Sequence, residues 1–184
     1  MTGLARLNAL PAARAEADLL TCCGSREWAH RVAALRPFAS GDALFDAAEV
    51  VWWALDREDW LQAFRSHPRI GEKKAEAGQT GREQGWSRGE QAGMDAAADA
   101  TRRALADGNR AYEERFGHIY LVCATGKSAD ELLSILTHRL HNDPEVELRV
   151  AAGEQAKITR LRLEKLLAGL SGASSDSHNR TLTS

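Results

Sequence analysis

The chain has 184 residues, of which 43% are apolar and 27% are charged, as in an ordinary globular domain. A formal net charge of -2 gives no basic surface for nucleic acid, and no apolar run is long enough to cross a bilayer. Three cysteines without a regular spacing argue against a disulfide framework and fit a reducing cytosol. We therefore expect a cytoplasmic protein with one domain over residues 1–170 and a disordered Ser/Thr-rich tail over residues 171–184.

The predicted elements are helices, because Ala, Leu, Glu and Arg dominate the chain while Ile, Tyr and Phe are scarce. Pro11, Ser25, Ser128 and Asp143 supply start signals for four of these helices. In chain order the predicted helices are Ala12–Cys23, Ser25–Leu35, Asp42–Leu55, Asp56–Ser66, Arg88–Ala92 with an extension towards Ala97, Ala98–Phe116, Ala129–Leu140 and Pro144–Leu170.

One apolar run, residues 118–124, does not fit this helical pattern. It lies between Gly117 and Gly126, and its periodicity does not distinguish a strand from buried extended backbone. Because no other segment offers a partner strand, we interpret it as irregular and buried. The predicted fold class is all-α: a single compact multi-helix domain with one short irregular buried segment and a disordered C-terminal tail.

The last predicted helix combines an apolar stripe with many basic residues. The stripe that we expect to face the core consists of Val146, Val150, Ile158, Leu161 and Leu166. A basic side chain that faced inward would bind an anion or a carbonyl oxygen, but the sequence does not identify which one does. The candidates are Arg149, Lys157, Arg160, Arg162 and Lys165.

His67 is the strongest single candidate for catalysis. Pro68 disfavours helical backbone at the residue before it, so the preceding helix should end near Ser66 or His67. An imidazole on such a constrained turn suits general acid or base chemistry near neutral pH. The alternative is that His67 only terminates a helix.

The segment from Ser87 to Gln91 has the S-x-x-E pattern of a capping box. In the functional interpretation, Glu90 instead projects into a pocket shared with His67, and Ser87 caps the helix. The polar, glycine-containing stretch from Glu72 to Gly85 precedes this segment and predicts a lid or binding loop.

A metal site is the weaker alternative. His138 and His141 lie three residues apart on one predicted helix, and Glu131 is the nearest candidate for a third ligand. The chain has neither an H-E-x-x-H motif nor a Cys/His array, so we predict no metal.

Four segments, in this order, resemble the OHCU decarboxylase family, the 2-oxo-4-hydroxy-4-carboxy-5-ureidoimidazoline decarboxylases of urate degradation. The resemblance runs from about Leu7 to Leu167. The segments are His67-Pro68-Arg69-Ile70-Gly71, Ser87-x-x-Glu90-Gln91, Phe116-Gly117-His118-Ile119-Tyr120-Leu121-Val122-Cys123-Ala124 and Glu154-x-x-Lys157-Ile158-x-x-Leu161-Arg162-Leu163.

The resemblance implies an all-helical, commonly dimeric carboxy-lyase that needs no cofactor and forms (S)-allantoin. It also implies catalytic roles for His67, Glu90 and Arg162. The substrate-lining positions that it implies are Pro68, Ser87, Arg88, Gly89, Glu90, Gln91, Ile119, Tyr120, Leu121, Val122 and Cys123. Two other functions stay open: a related lyase or hydrolase acting on a ureido compound, and an inactive purine-pathway binding protein.

Overall fold

The computed structural model describes residues 1–70 and 99–172, and these residues form eight α-helices and no strand. The all-α prediction is therefore confirmed for this part of the chain. The helices are α1 (Gly3–Ala9), α2 (Ala12–Cys23), α3 (Arg26–Ala34), α4 (Gly41–Trp53), α5 (Arg57–Arg65), α6 (Asp99–Phe116), α7 (Ala129–Arg139) and α8 (Pro144–Gly172).

The predicted start signals act as helix caps. The Ser25 hydroxyl accepts the N–H of Trp28 at the start of α3. Ser128 and Glu131 form a complete capping box at the start of α7. The Asp143 carboxylate accepts the N–H of Glu145 at 2.9 Å in the first turn of α8.

The sequence prediction misses helix α1, which has only seven residues. Thr2 caps it by accepting the N–H of Ala5. A Cβ atom on Gly3 would lie 1.8 Å from the Leu167 carbonyl oxygen, so the start of α1 lies directly against α8. Because isolated helices this short are unstable in water, α1 depends on packing rather than on its own propensity.

Two predicted segments lie wholly outside the described residues: the polar loop from Glu72 to Gly85 and the helix Arg88–Ala92. Helix α8 ends at Gly172, two residues beyond its predicted end, so the first two residues of the predicted tail are helical. The remainder of that tail, residues 173–184, also lies outside the described residues.

The buried side chains form two clusters. The first lies among α1 to α5 and α8, and Trp28, Trp52 and Trp60 are its largest members. The second lies between α6 and α7 and includes Tyr112 and Leu136. Helix α8 packs against α1, α2, α4, α5 and α6 and so connects the two halves. Among the described helices, none is long and apolar enough to cross a membrane.

The irregular segment after α6 runs between these two clusters. Leu121 and Cys123 pack into the first cluster, whereas Tyr120, Val122 and Ala124 pack into the second. Alternate side chains of an extended segment point in opposite directions, and here both directions are buried. That arrangement explains why the run is apolar throughout, and it confirms the prediction of an irregular buried segment.

The predicted apolar stripe of α8 is wrong in its first two turns. Ile158 and Leu166 are buried, but Val146 is 54% exposed and Val150 is 36% exposed. The buried positions of these turns include Glu147, which is fully buried, and Leu148. A search for apolar residues misses the buried face at this end of α8, because the carboxylate of Glu147 lies at its centre.

Candidate active site

The His67 turn begins where α5 ends, as predicted. Ser66 is the C-cap of α5, and the His67 N–H donates to the Phe64 carbonyl at 3.1 Å. Gly24, in the left-handed conformation at the end of α2, lies against Ser66, because a Cβ atom there would be 2.3 Å from its hydroxyl oxygen. Close packing of the α2 terminus therefore places the residue before His67.

Helix α6 holds the other side of the turn. The Arg69 guanidinium donates twice to the Glu113 carboxylate, at 2.5 and 2.8 Å. The Asn109 amide donates to the Ile70 carbonyl at 2.7 Å. Asn109 and Glu113 are four residues apart and share one face of α6. The Arg69 hydrogen bond lowers the pKa of Glu113, so this pair remains charged at neutral pH.

The His67 imidazole is buried, with 7% of the residue exposed, and both ring nitrogens have a partner. Nε2 lies 2.8 Å from the side-chain amide oxygen of Gln155, and Nδ1 lies 3.4 Å from Nη2 of Arg162. Burial, and to a smaller extent the Arg162 guanidinium, lower the pKa of His67 to about 3 against the opposing effect of the Gln155 hydrogen bond. In the free protein His67 is therefore neutral at neutral pH.

Arg162 is the basic residue of α8 that faces inward, which the sequence pattern alone did not identify. It is 3% exposed, whereas the four other basic residues of this helix are exposed. Its guanidinium reaches the His67 ring, so the two residues that the family resemblance pairs in catalysis are in contact.

Sequence reasoning missed two polar residues on the same face of α8. Gln155 is fully buried and donates through its amide nitrogen to the Thr159 hydroxyl at 3.1 Å. Residues 155, 159 and 162 follow the spacing of one helical face. A polar stripe on an otherwise buried helix face was the available signal, and a search for apolar periodicity overlooks it.

The irregular segment is tied to the same turn of α8. The Glu154 carboxylate, next to Gln155 in the chain, accepts the Cys123 N–H at 2.7 Å. Lys127 donates to the Cys123 carbonyl, and Arg139 donates to the Leu121 carbonyl, both at 2.8 Å. These backbone groups are therefore already paired with protein groups. Of the substrate-lining positions implied from Ile119 to Cys123, Leu121 and Cys123 thus have backbone groups with protein partners.

The remaining predicted residues divide into three groups. Pro68 is half-buried beside His67, which fits a position at the edge of the site. The segment Ser87, Arg88, Gly89, Glu90 and Gln91 lies outside the described residues. Of the proposed metal ligands, Glu131 is engaged in the capping box and His141 contacts the Thr137 carbonyl. Within residues 1–70 and 99–172, no three His, Cys, Asp or Glu side chains are grouped to hold a metal ion.

The chain is similar to several known proteins. The sequence profile of the OHCU decarboxylase family matches residues 8–164. The uric acid degradation bifunctional protein TTL of Arabidopsis thaliana is 36% identical over 154 residues, which cover 83% of this chain and 47% of that protein. The chain thus spans about half the length of that relative.

A relative of similar size and a solved structure point the same way. The 2-oxo-4-hydroxy-4-carboxy-5-ureidoimidazoline decarboxylase of Mus musculus is 32% identical over 136 residues, which cover 72% of this chain and 74% of that protein. The crystal structure of an OHCU decarboxylase in the presence of (S)-allantoin superimposes with a TM-score of 0.70 at 31% identity, covering 82% of this chain and 97% of that one. The chain therefore belongs to the OHCU decarboxylase family.

Proposed function

We propose that this protein is a carboxy-lyase that converts 2-oxo-4-hydroxy-4-carboxy-5-ureidoimidazoline into (S)-allantoin during urate degradation. The observation that carries the proposal is the contact between two buried side chains, the neutral imidazole of His67 and the guanidinium of Arg162. Family membership supports the substrate, because the similar mouse protein is a decarboxylase of this compound.

The substrate itself supplies the electron sink. Its carboxylate sits on a ring carbon beside a C=N bond, so the electron pair released with CO2 forms a C=C bond while the imine nitrogen gains a proton. Neither pyridoxal phosphate nor a metal is needed for that step, and we propose that the enzyme uses no cofactor. The enol-like intermediate then gains a proton on the neighbouring carbon, from one face only.

The protein's task is therefore to orient the breaking bond and to stabilise charge. Arg162 is the group that we assign to the substrate's carboxylate or carbonyl oxygens, because a buried guanidinium is a permanent cation with several donors. His67 enters the reaction as a neutral imidazole, and we assign it to orienting the departing carboxylate through Arg162, the cation that it contacts.

Glu90 completes the proposed catalytic set by accepting hydrogen bonds from ring and ureido N–H groups. Pro68, the segment from Ser87 to Gln91 and the segment from Ile119 to Cys123 are proposed to line the substrate. The N–H groups of residues 119–122 suit this role, since none of them has a described hydrogen-bond partner.

The decisive experiment removes the imidazole. The unstable substrate is generated from urate with upstream enzymes, and (S)-allantoin is followed by its optical activity. We expect His67→Asn to lower the enzymatic rate by about 10²–10⁴-fold while the helical circular-dichroism spectrum is retained. His30→Asn, at an exposed histidine, is the matched control. A His67→Asn rate within about threefold of the wild-type rate would contradict the proposal.

The pH dependence of kcat/KM separates the two possible roles of His67, because it reports groups of the free enzyme. If neutral His67 orients the carboxylate, kcat/KM stays level between about pH 6 and 8, since its pKa lies near 3. If His67 must act as an imidazolium donor, kcat/KM falls about tenfold per unit rise in pH across the same range. Only the first result supports our assignment.

We also propose that the protein is a cytoplasmic homodimer. Large apolar side chains are exposed on the neighbouring helices α4 and α8: Val50 is 70% exposed, Trp53 is 42% exposed and Val146 is 54% exposed. We propose that these side chains form part of the surface that the second subunit covers. Light scattering on the wild type and on a Val50→Glu/Val146→Glu variant tests this, and a monomeric wild type would contradict the dimer.

A further inference from the structure

We propose that Gln155 is a positioning residue that holds the His67 imidazole in its Nε2–H tautomer, with the Nδ1 lone pair facing Arg162. The catalytic consequence rests on the proposed function, because it takes His67 as part of the active site. The tautomer itself is a property of the free protein and is measured without substrate.

The Arg162 guanidinium beside His67 carries a fixed positive charge. A guanidinium has only N–H donors, so the ring nitrogen that faces it must present a lone pair. Nδ1 of His67 is the nitrogen that faces Arg162, at 3.4 Å. In a neutral imidazole the single ring proton then lies on Nε2, and a buried Nε2–H requires an acceptor.

Gln155 supplies that acceptor, at 2.8 Å from Nε2. A glutamine amide has one accepting end and one donating end, so its orientation decides which one His67 meets. The amide nitrogen donates to the Thr159 hydroxyl at 3.1 Å, which leaves the oxygen for His67. A flipped amide would place its NH2 group against the Nε2–H, with two donors facing each other.

The surrounding groups reinforce this arrangement. Gln155 is fully buried, so within the described site water does not compete for its amide. Thr159 also hydrogen-bonds the thiol of Cys23, and burial raises the pKa of that thiol to about 12, which keeps it neutral. Arg162 is thus the charged group that determines the direction of the chain Arg162, His67, Gln155, Thr159.

An asparagine or leucine at position 155 would break the chain at its centre. Without the Gln155 oxygen, the Nε2–H proton has no partner, and the Nδ1–H tautomer is opposed by Arg162. We therefore expect a ring that loses its single orientation. Because substrate would meet a less ordered imidazole, the loss should affect kcat more than KM.

The test reads the tautomer directly. In protein labelled with ¹⁵N-histidine, long-range proton–nitrogen correlation spectra distinguish a protonated ring nitrogen from one with a lone pair, and His67→Asn identifies the signals. We expect wild-type His67 to show a protonated Nε2 and a lone pair on Nδ1. We expect Gln155→Leu to shift both signals towards averaged values and to lower kcat by about 10–10²-fold, the range known for residues that orient a metal-bound histidine.

Two further variants make the test specific. Gln155→Glu keeps an accepting oxygen, so it should retain the Nε2–H tautomer, while its negative charge raises the His67 pKa. Gln62→Leu is the matched control: Gln62 accepts the Arg26 N–H at 2.7 Å on α5, and its loss should leave the His67 signals unchanged. If Gln155→Leu does not fold, Gln155→Met, which keeps the length of the side chain without the amide, should produce the same signal shift.

The proposal is overturned if the His67 nitrogens of a folded Gln155→Leu variant, or of Gln155→Met in its place, have wild-type signals. It is equally overturned if the signals shift and kcat is unchanged. If the wild-type protein forms no (S)-allantoin, the proposed function fails, and the nitrogen spectra still decide whether Gln155 sets the tautomer.

Discussion

Two buried arginines, Arg139 and Arg162, have different kinds of partner. Arg139 is 7% exposed and donates to the Glu147 carboxylate through Nε at 2.8 Å and Nη2 at 2.6 Å. The Tyr112 hydroxyl and the Asn142 amide donate to the same carboxylate. Arg162 is 3% exposed and donates to an imidazole that carries no charge.

The two environments have different consequences. Around Arg139, a cation, an anion and neutral donors satisfy one another, and Arg139 also fixes the Leu121 carbonyl of the irregular segment. Beside Arg162, the positive charge acts on a titratable ring and keeps the pKa of His67 low. Arg139, Glu147, Tyr112 and Asn142 form a scaffold cluster that stabilises the fold. The pair of Arg162 and His67 instead keeps a cation and a neutral imidazole together for chemistry.

The largest expected effect comes from removing the anion of the scaffold cluster. Glu147→Leu leaves the buried Arg139 without its carboxylate, so we expect the free energy of unfolding to fall by about 3–5 kcal/mol in urea denaturation. Arg139→Met combined with Glu147→Leu should recover most of this loss, because apolar replacement of both partners removes the unpaired charge. A loss below about 1 kcal/mol in the single variant would show that the pair is not a scaffold.

The scaffold cluster also shows where sequence reasoning stops. Helix caps such as Ser128 are local, so the sequence predicts most described helices to within a few residues. From the sequence, Glu147 is an ordinary acidic residue near the start of a helix. Only the tertiary packing shows that it is buried. Val146 and Val150 were assigned to the core from apolar periodicity alone, and they are exposed.

The residues of the candidate site also differ in whether local sequence signals identify them. His67 was identified from the sequence because Pro68 marks the helix end locally. The inward orientation of Arg162 came only from the family resemblance, since five basic residues of α8 are equivalent by pattern. Gln155 was missed because its partner, His67, is 88 residues away in the chain.

The second prediction concerns the pH dependence of stability. The pKa of His67 is about 3 in the folded protein and about 6.5 when unfolded, so the unfolded chain binds more protons between these values. Its contribution to stability is therefore complete above about pH 6.5 and is lost as the pH falls towards 3. The expected slope is up to about 1.4 kcal/mol per pH unit.

The measurement compares the free energies of unfolding of wild type and His67→Gln from neutral to acidic pH. The difference between them should shift against the wild type as the pH falls. Burial also lowers the pKa of His118, but that residue is present in both proteins and its contribution cancels. A constant difference would mean that His67 has the same pKa in the folded and the unfolded protein, contrary to the lowered pKa described above.

The third prediction returns to the scaffold cluster, at its neutral donor. Tyr112→Phe removes a hydroxyl that donates to Glu147 but keeps the aromatic ring that packs against Phe116 and Tyr120. Because the carboxylate retains Arg139 and Asn142, we expect a loss of about 1–2 kcal/mol, less than for Glu147→Leu. A loss equal to that of Glu147→Leu would place the main stabilising contact at the tyrosine.

The smallest change in the free energy of unfolding is expected for an arginine–glutamate pair that is exposed to solvent. Arg57 donates to Glu145 at 2.7 Å, a distance like that within the buried pair, but the two side chains are 51% and 76% exposed. Solvent and salt screen this attraction, so Glu145→Gln should change the free energy of unfolding by about 0–1 kcal/mol. Glu145 and Glu147 lie in the first turns of α8, so the two variants alter neighbouring positions of one helix. Unfolding of both at low and high salt tests the comparison, because equal losses would mean that charge pairing, rather than burial, stabilises this end of the helix.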